Sequence, residues 1–231
     1  MMSENLRGFN LIFVAIFFFF ILLFPAAVAY TIAVKIYTSV IIPVWLMPAF
    51  IYFSGLSYAA LFMLESYIIL KIIFNPKQKE GVFNIDEINP AIIYSALSDI
   101  FMRLNEKIFS MLLIPAMFYS NLIMKVFGKH CGKKGLINRV IEPYLTSIGD
   151  ELIMGLGVLI TGHELVGKKA ILKGVTIGNR VTIGANSIIS AGTVIEDEVV
   201  IGANSFVKKN SILKKGGFYA GSPAILKKRK N

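Results

Sequence analysis

The stretch IGNRVTIGANSIISAGTVIEDEVVIGANSFVKKNSIL, residues 177–213, repeats itself every six residues. Ile177, Ile183, Ile189, Ile195, Ile201, Val207 and Leu213 hold one phase. Four positions after each of the first six come Val181, Ser187, Thr193, Val199, Ser205 and Ser211, all small or β-branched. Gly178, Gly184 and Gly202 directly follow the aliphatic residue. A period of six fits neither a helix, at about 3.6, nor a lone strand, at about 2. It fits short strands joined by tight corners, in a solenoid whose coils bury their core only against one another. In that reading the aliphatic and small residues point inward and the glycine permits the corner. The phase runs upstream through Ile148-Gly149, Met154-Gly155, Ile160 and Val166-Gly167, then slips by one between Leu172 and Ile177.

The rest of the chain has another character. Of its 231 residues 55% are hydrophobic, above the roughly 45–50% of an ordinary soluble domain. No charge falls between Arg7 and Lys35, nor between Lys35 and Glu65. A spanning helix needs about 20 apolar residues, whereas a cleaved signal has an apolar core of only about 7–15. Residues 1–78 therefore read as a transmembrane hairpin, with spans at about 9–34 and 42–72. Arg7 lies before the first span and Lys71, Lys77 and Lys79 at the end of the second, while the turn holds only Lys35. The positive-inside rule places both ends of the hairpin in the cytoplasm, and the C-terminal part of the chain with them if no further segment crosses.

Residues 79–128 read as a helical linker. Ile93, Leu97, Ile100, Phe101, Leu104 and Ile108 recur at helical spacing, opposite Asp99, Arg103, Glu106 and Lys107. Such a helix lies either on a membrane surface or against the C-terminal domain. The uncharged run Ile108–Met124, broken by Pro115, is expected to be interfacial or re-entrant rather than a third crossing.

The net charge of +10 favours an anionic partner. The basic residues sit beside apolar segments and in the tail Lys227-Lys228-Arg229-Lys230, on no nucleic-acid motif. The single cysteine, Cys131, excludes an intrachain disulfide. Two histidines, His130 and His163, are too few for a three-histidine metal site.

These repeats resemble the hexapeptide-repeat acyltransferases, over roughly residues 130–226. The resemblance implies a left-handed parallel β-helix over 129–231, with three hexapeptides per coil. Together with the hairpin, the expected fold class is an α-helical transmembrane hairpin plus a C-terminal all-β left-handed parallel β-helix. The family transfers an acyl group from acetyl-CoA or another acyl-CoA directly to a hydroxyl or amine. It needs no metal, and its sites lie between the chains of a homotrimer.

The segment Ile160-Thr161-Gly162-His163 resembles the family's catalytic corner, which makes His163 the general base. A neutral imidazole suits that task near pH 7 and contributes about 10²–10⁴-fold. In the preceding coil Glu142 and Asn138 lie near the family's acidic residue and asparagine that hold the acceptor, while Glu164 is a rival partner for the imidazole. Ala185 and Ala203 match positions that let backbone amides reach the pantetheine arm. Lys208 and Lys209 match a pair near the nucleotide phosphates. The segment Tyr219-Ala220-Gly221-Ser222-Pro223-Ala224 resembles the family's Gly-x-Pro-Ala signature and puts Pro223 at the donor site. The loop Glu164–Gly174 is shorter than in many members and leaves the acceptor open; a membrane-linked one is favoured.

Two other readings compete. The γ-type carbonic anhydrases share the fold but need three histidines. A non-catalytic membrane scaffold has no use for His163 or for the Gly-x-Pro-Ala element, and this chain carries both.

Overall fold

The structure, a computed structural model, describes residues 23–40, 42–73, 79–87 and 89–229. It divides into two compact units, one ending at Ile69 and the other Leu70–Asn231.

The first unit holds two apolar helices, α1 (Leu23–Ser39) and α2 (Met47–Ile68). They meet at Tyr37 and Phe50, whose ring centroids are 6.3 Å apart. Pro48 stands in the first turn of α2, where its missing N–H costs nothing. Among the described residues, Val44–Ile72 is the one helix long and apolar enough to cross a membrane, with 29 residues and mean hydropathy 1.5. Ile51 and Phe53 face outward, each 64% exposed, whereas Phe62, Ile69 and Leu70 are buried. The expected first span, about 9–34, lies largely outside the described residues.

The second unit is built on a parallel β-helix. One face stacks Ile153-Met154, Thr182-Ile183, Val200-Ile201 and Phe218-Tyr219. The next stacks Arg139-Val140, Leu159-Ile160, Ile188-Ile189 and Phe206-Val207. The third stacks His130-Cys131, Thr146–Ile148, Val175–Ile177, Val194-Ile195 and Ile212-Leu213. Partners such as Thr182 and Val200, Ile188 and Phe206, or Val194 and Ile212 stand 18 positions apart, which is three hexapeptides per coil.

The two inward registers form the core. Ile183, Ile189, Ile195, Ile201 and Val207 are buried, as are Ser187, Thr193, Val199 and Ser205. The buried hydroxyls are satisfied: Ser187 and Ser205 donate to the Gly202 carbonyl at 2.9 and 2.7 Å, and Thr193 to Ser190 at 2.7 Å.

The corners differ from expectation. Positive φ falls on Arg180, Asn186, Gly192, Glu198, Asn204, Asn210 and Gly216, again six apart. It does not fall on Gly178, Gly184 or Gly202. Those glycines serve close approach instead. A Cβ on Gly184 would collide with the backbone nitrogen of Ala203 in the next coil, and one on Gly178 with that of Asp197. Side chains also lace one corner from coil to coil. Asp150 accepts the Lys133 N–H at 2.7 Å, Asn179 the Asp150 N–H at 2.8 Å, and Asp197 the Asn179 N–H at 2.7 Å.

One corner opens into an antiparallel sheet of β1 (Gly81–Asn84), β2 (His163–Val166) and β3 (Lys169–Leu172), in the order β1-β3-β2. Here Ile153 pairs with Thr182, 29 positions on rather than 18, an excess of 11. Eleven is one short of two hexapeptides, which is the slip of phase seen in the sequence. Val166 and Gly167 are therefore not a coil step, contrary to expectation. Val166 is 48% exposed at the end of β2, and Gly167, at φ +56°, opens a two-residue turn.

The segment after β1 folds onto the coils. Helix α3 (Pro90–Met111) starts with Pro90 behind Asn89, whose side chain accepts the Ala91 N–H at 2.8 Å. It buries Ala91, Tyr94, Phe101, Met102 and Phe109. Tyr94 meets Tyr144 of the β-helix edge to face at 4.7 Å. Of the two placements open from sequence, α3 takes the packed one, yet only Phe101 of the expected stripe is fully buried; Ile93 and Ile100 are exposed. Residues 108–124 are two helix ends and a turn, because α4 (Ala116–Phe127) begins after Pro115. Met124 of α4 joins the core beside Ile137.

Gly184→Ala tests the close approach of the coils. Overpacking costs about 1–3 kcal/mol, so the thermal midpoint should fall. A midpoint equal to that of the wild type would remove the steric account of this glycine.

Candidate active site

The chain leaves the coil at Ile160 and turns outward through Thr161 and Gly162 into β2, which begins with His163. Glu142 stands in the preceding coil, just before the turn Pro143–Leu145, and is fully buried. Gly162 lies against it with little room to spare. A Cβ there would come within 3.1 Å of Leu145 Cδ1 and 3.4 Å of Glu142 Cβ.

Glu142 and His163 meet directly. Glu142 Oε1 takes a short hydrogen bond from Nδ1 of His163. The other oxygen, Oε2, accepts the Gly162 N–H at 2.7 Å. Thr161 Oγ1 accepts the His163 N–H at 3.2 Å and completes the corner. A carboxylate only accepts, so it fixes the imidazole tautomer with hydrogen on Nδ1. Nε2 of the neutral ring then carries the free lone pair. The hydrogen bond to Glu142 holds the His163 pKa above its ordinary 6.5, against the opposing effect of burial.

A pocket of about 200 Å³ opens beside this pair, between α3 and the hairpin β2–β3. Ile92 and Ala96 line it from α3, and Leu165, Ala170 and Leu172 from the hairpin. Ser95 and Asp99 add polar groups, with Asp99 held by Arg103 at 2.7 Å. His163 and Glu142 line the same pocket.

The remaining expected site residues lie elsewhere. Asn138 stays away from the imidazole. Its side-chain amide donates to the carbonyls of Met154 and Gly155, at 3.2 and 2.6 Å, and ties two coils together. Glu164 does not partner the imidazole either; it accepts from Lys209 at 3.1 Å, within the same chain. Lys208 is exposed beside Lys209. Ala185 and Ala203 occupy equivalent corners of successive coils, where the Asn204 N–H reaches the Ala185 carbonyl at 2.8 Å. Pro223 is exposed, just before the strand Ile225–Arg229 that folds back on Gly217–Ala220. His130 is exposed in the first coil.

Sequence reasoning missed the whole outer wall of the site. Asp99 reads only as the polar side of an amphipathic helix, and Ile92, Ser95 and Ala96 are not singled out. Residues 164–174 read as a loop, although Gly167-Lys168 between two partly apolar runs is a hairpin signal.

Comparisons with known proteins agree with this architecture. Residues 174–209 match the family described as the hexapeptide repeat of succinyl-transferase. The solved maltose O-acetyltransferase of Clostridium difficile 630 superposes with a TM-score of 0.51 at 18% identity, covering 66% of this chain and 94% of that one. That likeness shows the fold. A hexapeptide-repeat acetyltransferase of Vibrio cholerae gives 0.40 at 19% identity, covering 49% of this chain and 80% of its own. A galactoside acetyltransferase in complex with coenzyme A gives 0.36 at 29% identity, covering 40% and 48%. No curated protein matches by sequence. The second unit thus has the β-helical fold of a hexapeptide-repeat acetyltransferase.

The raised pKa of His163 makes stability depend on pH. The charged pair stabilises the fold in full below the unfolded-state pKa, near 6.5. That contribution is lost as pH rises through the higher folded-state value. Urea unfolding of the full chain between pH 6 and pH 9 should show stability falling with pH. The fall should be smaller in His163→Gln. Identical pH profiles would mean that the contact with Glu142 does not perturb the imidazole.

Proposed function

We propose that this protein is a membrane-anchored acyltransferase, moving an acetyl or other acyl group from a CoA thioester to a hydroxyl or amine, with His163 as general base. One observation carries the reading. A buried carboxylate, itself fixed by a backbone N–H, holds Nδ1 of His163 and leaves Nε2 for a substrate. A surface histidine of no consequence needs no such support. The β-helical fold, with its left-handed coil implied by the hexapeptide pattern, adds to the case.

In this reading Nε2 takes the proton from the acceptor as its oxygen or nitrogen attacks the thioester carbonyl. The tetrahedral intermediate collapses, the C–S bond breaks, and the imidazolium returns the proton to the departing thiolate. Glu142 is a positioning residue: it sets the tautomer and stabilises the imidazolium. Ala185, Ala203, Lys208, Lys209 and Pro223 are proposed to hold the CoA. The assembly proposed is a homotrimer. The helix Val44–Ile72 is proposed as part of a two-span anchor, with the β-helix in the cytoplasm where acyl-CoA is made.

The acceptor can be sought by mass spectrometry of membrane extracts treated with acetyl-CoA and protein, and the resulting pair used for kinetics. His163→Ala should lower kcat by about 10²-fold or more with little change in CoA affinity. Glu142→Gln should lower it by about 10²–10⁴-fold, because an amide can hold the ring with its hydrogen on the wrong nitrogen. The pH profile of wild-type kcat should rise through an apparent pKa above 6.5, and this limb should move to lower pH in Glu142→Gln. Turnover at the wild-type rate in His163→Ala would overturn the mechanism.

Topology has its own test. Ile212 is 57% exposed on an outer face. A single cysteine there, in a Cys131→Ser background, should react with an impermeant thiol reagent only after cell lysis. Reaction in intact cells would place the β-helix outside.

A further inference from the structure

We propose that the pocket between α3 and the β2–β3 hairpin binds an apolar group of the substrate, a short alkyl chain or a ring, beside Nε2 of His163. The inference rests on the acyltransferase reading and adds the chemical class that the site accepts.

The walls point to that class. Ile92 and Ala96 face Leu165, Ala170 and Leu172 across the pocket. Three of the four carboxylate oxygens near them are already engaged. Both oxygens of Glu142 are committed, one to His163 and one to Gly162. Asp99 is tied to Arg103. A sugar hydroxyl placed against these walls would exchange water for carbon on the sides they cover, at the cost of its hydrogen bonds. An alkyl group would gain from the same exchange.

The size fits as well. An apolar cavity of about 150 Å³ takes up benzene. The pocket here measures about 200 Å³, and so has room for a group slightly larger than benzene. An acetyl group fills only a small part of it.

The wall is also supported from behind. Tyr94 packs on Tyr144, and Phe101 is completely buried, so α3 is held against the coil. The hairpin is braced on its outer side by β1. Two sources can supply the apolar group: the acyl chain of the donor or the body of the acceptor. The chemistry recognised is the same.

The test uses the full chain in lipid nanodiscs with labelled histidine. The sequence has two histidines, so two ring signals are expected. The probe is 1-hexanol, with its free concentration measured. The His163 signal should shift saturably while that of His130 does not. The shift should vanish in Ala96→Phe, which fills the pocket from α3, and in Leu165→Asp, which puts a charge on the hairpin wall. It should persist in Ile93→Phe, a similar change on the exposed side of α3. No saturable shift at His163, or a shift unaltered by both pocket variants, would overturn the proposal.

A second arm finds the source. Affinities for acetyl-, butyryl- and hexanoyl-CoA are measured by calorimetry. A gain of about fourfold per added CH₂, lost in Ala96→Phe, assigns the pocket to the acyl chain. A flat series with the hexanol shift intact assigns it to the acceptor. If no acyl-CoA binds at any length, the acyltransferase reading falls, and the hexanol result stands apart from it.

Discussion

The stacking of each coil on the next, which from Val175 onward closes every 18 residues, is the constraint on which the rest of this molecule depends. Strands of two or three residues have no stability alone. They persist because Ile183, Ile201 and their equivalents stack directly upon one another. Any residue added within a strand would break that register along the whole face. Additions are therefore confined to corners. The insertion of 11 residues obeys this rule, for it leaves at Ile160 and returns at Val175 without disturbing the pairing on either side. The site is a product of the same geometry. A corner is where the chain points outward, and the first strand residue beyond it is His163.

The coil below supplies what an exposed corner lacks. Burying Glu142 with no partner would cost several kcal/mol. Here its two oxygens receive the imidazole and the Gly162 N–H, so the cost is offset and the ring is oriented at the same time. The arrangement has a consequence for working conditions. The ion pair is strongest when His163 is charged, yet the general base we propose must be neutral. The proposed activity and this part of the stability therefore favour opposite ends of the same pH window.

Much of this was legible in the residues. The six-residue phase gave the solenoid, because a side chain facing a narrow prism must be aliphatic or small. His163 stood out through its Thr-Gly-His corner, and Glu142 through its place one coil below. The corners were less legible. Glycine attracts attention as the residue of left-handed turns, but here Asn186, Asn204 and even Arg180 and Glu198 take that conformation. The glycines are needed for clearance between coils, a property of three-dimensional stacking that a linear pattern does not display. Asn138 has a use that a linear pattern does not display either: its amide is a staple between coils. The α3 wall was hidden because the stripe that looks most apolar, with Ile93 and Ile100, is not the one that packs.

The antiparallel sheet at the open corner draws its third strand from residues 81–84, which pair with residues of β3 lying 85 to 91 positions later. That strand and α3 lie in the stretch of chain that joins the apolar helices to the coils. A soluble fragment trimmed to the repeats alone would keep the imidazole and its carboxylate but lose one side of the chamber. The stretch ahead of the coils, within the second unit, is therefore a component of the candidate site, and the start of the repeats is not the edge of the chamber.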